Sequence, residues 1–158
     1  MKEIQLTKEK IAYVDDADFL SLSQYEWYLQ SSGYACRTIW IAGGKGKKIV
    51  VYMHRSVLSL ETGDARNADH IDGNRLNNQR SNLRICTPAQ NAFNRGAQKN
   101  NVLGIKGVSM AKNGKFVTYI KKGGKRISKG GFATADEAKK FYDKNAKELH
   151  GEFFTATR

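Results

Sequence analysis

The sequence predicts an α+β chain: an N-terminal small antiparallel sheet, a central strand, polar loop, strand and helix, then a three-stranded antiparallel sheet packed on one helix. Three observations carry this. Residues 1–52 alternate short β-prone runs with turn formers. Residues 68–86, ADHIDGNRLNNQRSNLRIC, form a long polar stretch pinned by Ile71 at one end and by Leu83 and Ile85 at the other. Near the C-terminus, Asn113-Gly114 and Gly123-Gly124 separate alternating runs, which is a strong hairpin signal.

In order, strands are expected at EIQLT and KIAYVDD, a helical turn at Asp15–Leu22, and strands at Tyr25–Leu29, Tyr34–Trp40 and Ile49–Tyr52. Tyr25, Trp27, Tyr28, Tyr34 and Trp40 are read as packing residues of this sheet, with stacking on bases as the other reading. A short helix is expected over His54–Glu61, with Gly63 beyond its end. After the polar loop, Thr87-Pro88 reads as an N-cap with proline at the first helical position, continuing to Arg95. Residues 96–103 read as a linker. Strands then fall near 105–111, 115–121 and 125–130. The capping box Thr134-Ala-Asp-Glu137 opens a helix on which Ala138, Phe141, Tyr142, Ala146 and Leu149 recur at helical spacing before Gly151. The domain reading is 1–95 with a core at about 54–95, the linker, and 104–158.

The chain carries 27 Lys and Arg against 15 Asp and Glu, a net charge of +12, which points to a polyanionic partner. Residues 1–68, 69–100 and 101–158 contribute +1, +3 and +8, a neutral scaffold followed by two basic segments. No apolar run suits a membrane span or a signal peptide, so a soluble, cytoplasmic protein of a bacterium or phage-infected host is expected. Cys36 and Cys86 form no Cys-x-x-Cys pair and read as small core residues.

Asp69-His70, Asn82-Leu83 and Asn91, within the string DHIDGN-x-x-NN-x-x-x-NL, resemble the signature of the HNH endonucleases, whose ββα-metal fold is strand, loop, strand and helix. The resemblance covers roughly residues 54–95. It implies that Asp69 and Asn91 hold one divalent cation, that His70 is the general base, and that Asn82 holds the loop and orients that histidine. An all-oxygen pair favours Mg²⁺ or Mn²⁺ over Zn²⁺. Asn91 stands where many members of the family have a second histidine. His54 and His150 are read as structural, with a phosphate contact by His54-Arg55 as the other reading. Arg55, Arg84 and Arg95 are candidate phosphate contacts.

Residues 104–157 resemble the ethylene-response-factor, or AP-two, type of DNA-binding domain. The resemblance rests on Gly104-Ile-Lys-Gly-Val108, Gly114-Lys-Phe116, Gly131-Phe132, Thr134-Ala-Asp-Glu-Ala138, Phe141-Tyr142-Asp143 and His150-Gly-Glu-Phe153. In that family the sheet lies in the major groove and the helix braces its far side. Strand alternation puts Phe116, Thr118 and Ile120 on one face and Lys115, Val117, Tyr119 and Lys121 on the other. Lys106, Lys112, Arg126 and Ser128 are expected to join the second, DNA-facing side. Ser109, Lys121 and Ser128 stand where the family places base-reading residues, so weak sequence readout is expected. Lys129 occupies a usually apolar position.

Together these readings imply a metal-dependent DNA endonuclease of free-standing homing type, acting on double-stranded DNA and not on a membrane; no protein partner is implied. A DNA-binding regulator with an inactive nuclease core is the alternative. A ribonuclease is a third reading, disfavoured because A-form grooves suit a sheet reader poorly.

Overall fold

The computed structural model describes residues 1–43, 46–94, 96–98, 100–122 and 125–154. The chain divides into two compact units, Met1–Asn91 and Ala92–Arg158. Small antiparallel sheets and helices make up both, an α+β organisation.

In the first unit, β1 (Lys2–Gln5) pairs with β2 (Ile11–Val14). Here α1 (Asp16–Ser23) follows, and then β3 (Tyr28–Leu29), β4 (Ala35–Trp40) and β5 (Lys48–Tyr52) form a second sheet. The single N-terminal sheet expected from the sequence is therefore two sheets, joined by a bridge between Leu6 and Trp27. α1 interrupts the run of strands, and the Trp27 indole N–H closes on the Leu22 carbonyl at its end, 2.8 Å away. Ile4, Leu6, Ala12, Val14, Leu22, Trp27, Ala35, Met53, Val57 and Leu83 form the core. Ile4 with Leu6 and Ala12 with Val14 alternate along the first hairpin, as a half-buried sheet requires, while Leu22, Met53 and Val57 come from helices.

Next comes α2 (Met53–Val57), shorter than the helix expected to Glu61. Ser59 adopts φ +54°, a left-handed conformation that ends the helix. β6 (Asn67–His70) and β7 (Leu83–Cys86) pair antiparallel across the polar loop, with Asp69 opposite Arg84 and His70 opposite Leu83. α3 (Pro88–Asn94) follows. Its start is fixed reciprocally: the Gln90 amide N–H donates to Thr87 Oγ1 at 3.2 Å, and the Thr87 N–H to Gln90 Oε1 at 2.8 Å. Cys36 and Cys86 are free and buried, as expected of small core residues.

The second unit pairs β8 (Val108–Met110), β9 (Phe116–Lys122) and β10 (Lys125–Phe132) antiparallel with β9 in the middle. β8 is shorter than the strand expected from residue 105, and the turn expected at Gly123-Gly124 lies outside the described residues. α4 (Ala135–His150) opens with the full Thr134/Glu137 capping box and packs through Tyr142 and Ala146 onto Ile120. Gly107 is required where α4 meets β8. Its φ is +70°, and a Cβ there would stand 2.1 Å from a Tyr142 ring carbon. Lys129 lies on the edge strand β10 with its ammonium 4.8 Å from the Phe141 ring centroid, a contact that a cation tolerates at this position.

Candidate active site

Asp69 and His70 end β6, and their strand pairing with β7 determines their surroundings. Because Asp69 faces Arg84 across the ladder, the guanidinium closes on one carboxylate oxygen, with Nη2 at 2.8 Å and Nε at 3.1 Å. Both side chains are largely buried, at 8% and 13% exposure. Arg84, expected to grip phosphate, is thus turned inward by its register.

The polar loop after His70 is built from amides and one carboxylate. Asp72 accepts from the backbone N–H of Asn74 at 2.7 Å and from the side-chain amides of Asn77 and Asn82 at 2.9 Å each. Burial would raise its pKa, but these donors outweigh burial and hold it below the usual carboxylate value. Asn82 Oδ1 accepts the Asp72 N–H at 3.0 Å, and Asn82 Nδ2 also donates to the Asn77 carbonyl at 2.8 Å. The Asn82 carbonyl accepts the Ile71 N–H, the residue next to His70. Asn82 therefore ties the loop shut.

The imidazole itself is held by Asn78. Its Nε2 lies 3.2 Å from Asn78 Oδ1. Asn78 is fully buried, and its Nδ2 donates to the Leu76 carbonyl at 3.2 Å, which fixes which end of the amide faces the histidine. Nε2 must then carry the hydrogen, so Nδ1 is the nitrogen able to accept a proton. The amide on the imidazole is thus Asn78, four positions before Asn82, and Asn82 holds the loop that carries it. Further bonds anchor the loop to β2 and α1. The Asn78 N–H donates to the Tyr13 carbonyl at 2.7 Å, and Arg80 forms a two-pronged pair with Asp18, 2.8 Å on each side.

His70 is 4% exposed. Burial pushes its pKa down, against the Asn78 bond and the charges of Asp72 and Asp69, which push up. Beside it stands His54, with ring centroids 5.0 Å apart, and Tyr34 touches both rings. His54 is buried, and its Nδ1 has no hydrogen-bond partner among the described residues. Burial, then the neighbouring His70 and Arg55, lower its pKa to about 3. Arg55 donates to the carbonyls of Arg66, Glu61 and Asp64 at 2.9 to 3.1 Å, so it clamps the 61–66 segment rather than facing outward to phosphate.

This burial has a measurable consequence. The folded His54 resists a proton that the unfolded chain takes up below pH ~6.5, so its stabilising effect is complete above that pH and is lost as pH falls. The slope is on the order of 1 kcal/mol per pH unit. Between pH ~6.5 and ~5, before most carboxylates titrate, the melting temperature should fall with pH. His54→Phe should reduce that fall, leaving a remainder from His70. Thermal melts across that window check it, and an unchanged slope in His54→Phe contradicts it.

Asn91 lies half-buried on α3, with its backbone N–H on the Thr87 carbonyl at 2.9 Å. Arg95 lies outside the described residues.

In the second unit, alternation holds along β9. Thr118 and Ile120 are buried at 1% and 3%, while Lys115, Tyr119 and Lys121 are exposed. Arg126 pairs with Lys121 across the ladder and stacks 4.8 Å from the Tyr119 ring centroid, with Ser128 opposite Tyr119. Lys112 is exposed in the turn before β9. Lys106 does not join this face. Its ammonium donates to the Phe93 carbonyl, and burial lowers its pKa to about 8. Its place in the irregular segment before β8 let it fold back.

A family profile described as HNH endonuclease matches residues 51–93. An uncharacterised HNH endonuclease of Acanthamoeba polyphaga mimivirus is 33% identical over 150 residues, covering 92% of this chain and 74% of that protein. Protein 3.8 of Escherichia phage T7 is 35% identical over 88 residues, 54% of this chain and 70% of that protein. No solved structure matches.

Proposed function

Because this chain belongs to the HNH endonuclease family, we propose that it hydrolyses phosphodiester bonds of double-stranded DNA, with Asp69 and Asn91 holding one Mg²⁺ or Mn²⁺ and His70 as general base. The observation that carries this reading is the Asp69-His70 pair at the end of β6, where Asn78 fixes the imidazole with Nδ1 as its basic nitrogen.

The donor set fits a hard cation. The Asp69 carboxylate is paired with the Arg84 guanidinium, so a cation held there would have to displace that pair. With the Asn91 amide oxygen the ligands are all oxygen. Among the described residues no cluster of three His, Cys, Asp or Glu forms a closed zinc site. When bound, the cation would neutralise charge on the phosphate and the departing 3′ oxygen.

The chain's own residues supply the rest. His70 Nδ1 takes a proton from the attacking water, while the Asn78 oxygen holds Nε2–H and supports the imidazolium that forms. The closed loop around Asp72 and Asn82 keeps the strand end rigid, so the base does not have to be reoriented during reaction. Were Asp69 to hold a cation, the Arg84 guanidinium that now pairs with it would be freed, and its fork suits an anion such as phosphate.

The second unit serves as the DNA anchor. Lys115, Tyr119, Lys121 and Arg126 share the sheet face away from α4, the arrangement expected of an ethylene-response-factor-like domain in a groove. Both named relatives are viral, which supports action in an infected host cell. No described helix is long and apolar enough to cross a membrane.

The anchor has a direct test. Substituting Lys115, Lys121 and Arg126 together with alanine should weaken duplex binding and flatten the plot of log affinity against log salt by ~0.9 for each phosphate that is no longer neutralised. Titrations at several salt concentrations measure it. An unchanged affinity and slope would remove the anchoring role.

A further inference from the structure

We propose that the β4–β5 hairpin is a second DNA-contacting element, with Trp40 and Lys48 at its end seated in a groove of the duplex about one strand length from His70. This rests on the nuclease reading and extends it to a surface outside the catalytic loop and the second unit.

The first observation is segregated charge. From Trp27 to Leu60 the sequence contains no Asp or Glu, yet it holds Arg37, Lys45, Lys47, Lys48 and Arg55. Residues 1–26 hold six acidic and three basic groups, so a sum over the whole N-terminal region hides a strongly basic hairpin. A ribbon of one sign of charge favours a polyanion.

The second is exposed apolar surface. Trp40 is 67% exposed, whereas Trp27, the other tryptophan, is 4% exposed. Ile39 and Ile41 beside it are exposed too, so both faces of the ribbon's end are uncovered. Trp40 faces Lys48 across the ladder, and the ammonium lies 5.9 Å from the ring centroid. Packing the sheet, the role expected of Trp40, is carried instead by Trp27. Arg37 is excluded from the contact because it stacks on Tyr25, 3.7 Å from the ring centroid.

The third is position. Tyr34, just before β4, lies 5.9 Å from the His70 ring and 5.0 Å from the His54 ring, and Tyr52 at the end of β5 lies 5.7 Å from His54. The hairpin's base is therefore part of the catalytic surroundings. At a rise of ~3.3 Å per residue, Lys48 stands ~13 Å from Tyr52 along β5, roughly four base-pair steps of ~3.4 Å. A two-stranded ribbon fits a DNA groove, where lysines meet phosphates and a flat aromatic meets sugars and base edges. A duplex engaged at His70 is within reach of this ribbon.

The test uses the full-length protein, a short duplex and a chelator to suppress cleavage. Acrylamide quenching of tryptophan fluorescence reports Trp40, the exposed indole. Duplex binding should shield it, and Trp40→Phe should show no such change from its remaining Trp27. Trp40→Ala with Lys48→Ala should weaken binding about tenfold and lower the salt slope by ~0.9. An unaltered melting temperature confirms that the fold is kept. Unchanged quenching of the wild type at saturating duplex overturns the hairpin proposal and leaves the nuclease reading standing. Failure of the wild type to bind duplex overturns both. Shielding that rises with protein concentration in the absence of DNA assigns the patch to self-association and also overturns the proposal.

Discussion

Replacing Asp69 with alanine should abolish cleavage while leaving duplex binding within a few-fold of wild type. The carboxylate is the only charged member of the proposed oxygen pair, and losing it removes several kcal/mol of transition-state stabilisation, a factor on the order of 10³ or more. Binding is spared because the proposed groove contacts lie on Lys115, Tyr119, Lys121 and Arg126. The alanine variant leaves the buried Arg84 guanidinium without its carboxylate, which can cost ~3–5 kcal/mol of stability. Asp69→Asn, which keeps the shape and one oxygen acceptor for Arg84, separates lost chemistry from lost fold. Both variants should be folded by circular dichroism and bind duplex, and both should fail to cut. Cutting at the wild-type rate by Asp69→Asn would remove Asp69 from the mechanism.

The second large effect is expected at His70. His70→Ala should lower the cleavage rate by ~10²–10⁴, the usual scale for a general base. Asn78→Ala should lower it less, since the imidazole stays in place but loses the bond that fixes its tautomer. Single-turnover rates with saturating protein measure the chemical step apart from binding. A His70→Ala rate within a few-fold of wild type would contradict the base assignment. If Asn78→Ala also matched wild type, the orienting role would fail.

Much of this site could be read along the chain because its signals are local. Asp69-His70 are adjacent, the loop's asparagines follow within a dozen positions, and Thr87-Pro88 marks the start of α3 in sequence as in space. The C-terminal hairpin and capping box are equally short-range, and Thr118 and Ile120 are buried as alternation required. What depends on register or tertiary closure was not legible. Arg84 pairs with Asp69 only because the two face each other across β6 and β7, fifteen positions apart. Asn78 and Asn82 are chemically identical, and only the bonds to Leu76 and Asp72 decide which one faces the imidazole. Lys106 folds back to Phe93 because its segment is irregular, where strand alternation gives no guidance. The basic hairpin was masked because acidic residues before Trp27 cancel it in any sum over the N-terminal region.

Divalent-cation-dependent hydrolysis of DNA at the Asp69-His70 strand end is reported most directly by supercoiled plasmid. Wild-type protein with Mg²⁺ or Mn²⁺ should convert supercoiled DNA to nicked or linear forms. Chelator should stop the conversion, restored cation should resume it, and Asp69→Asn should stay inert throughout. Undiminished cutting by the wild type in chelator, or by Asp69→Asn with cation, would contradict the account.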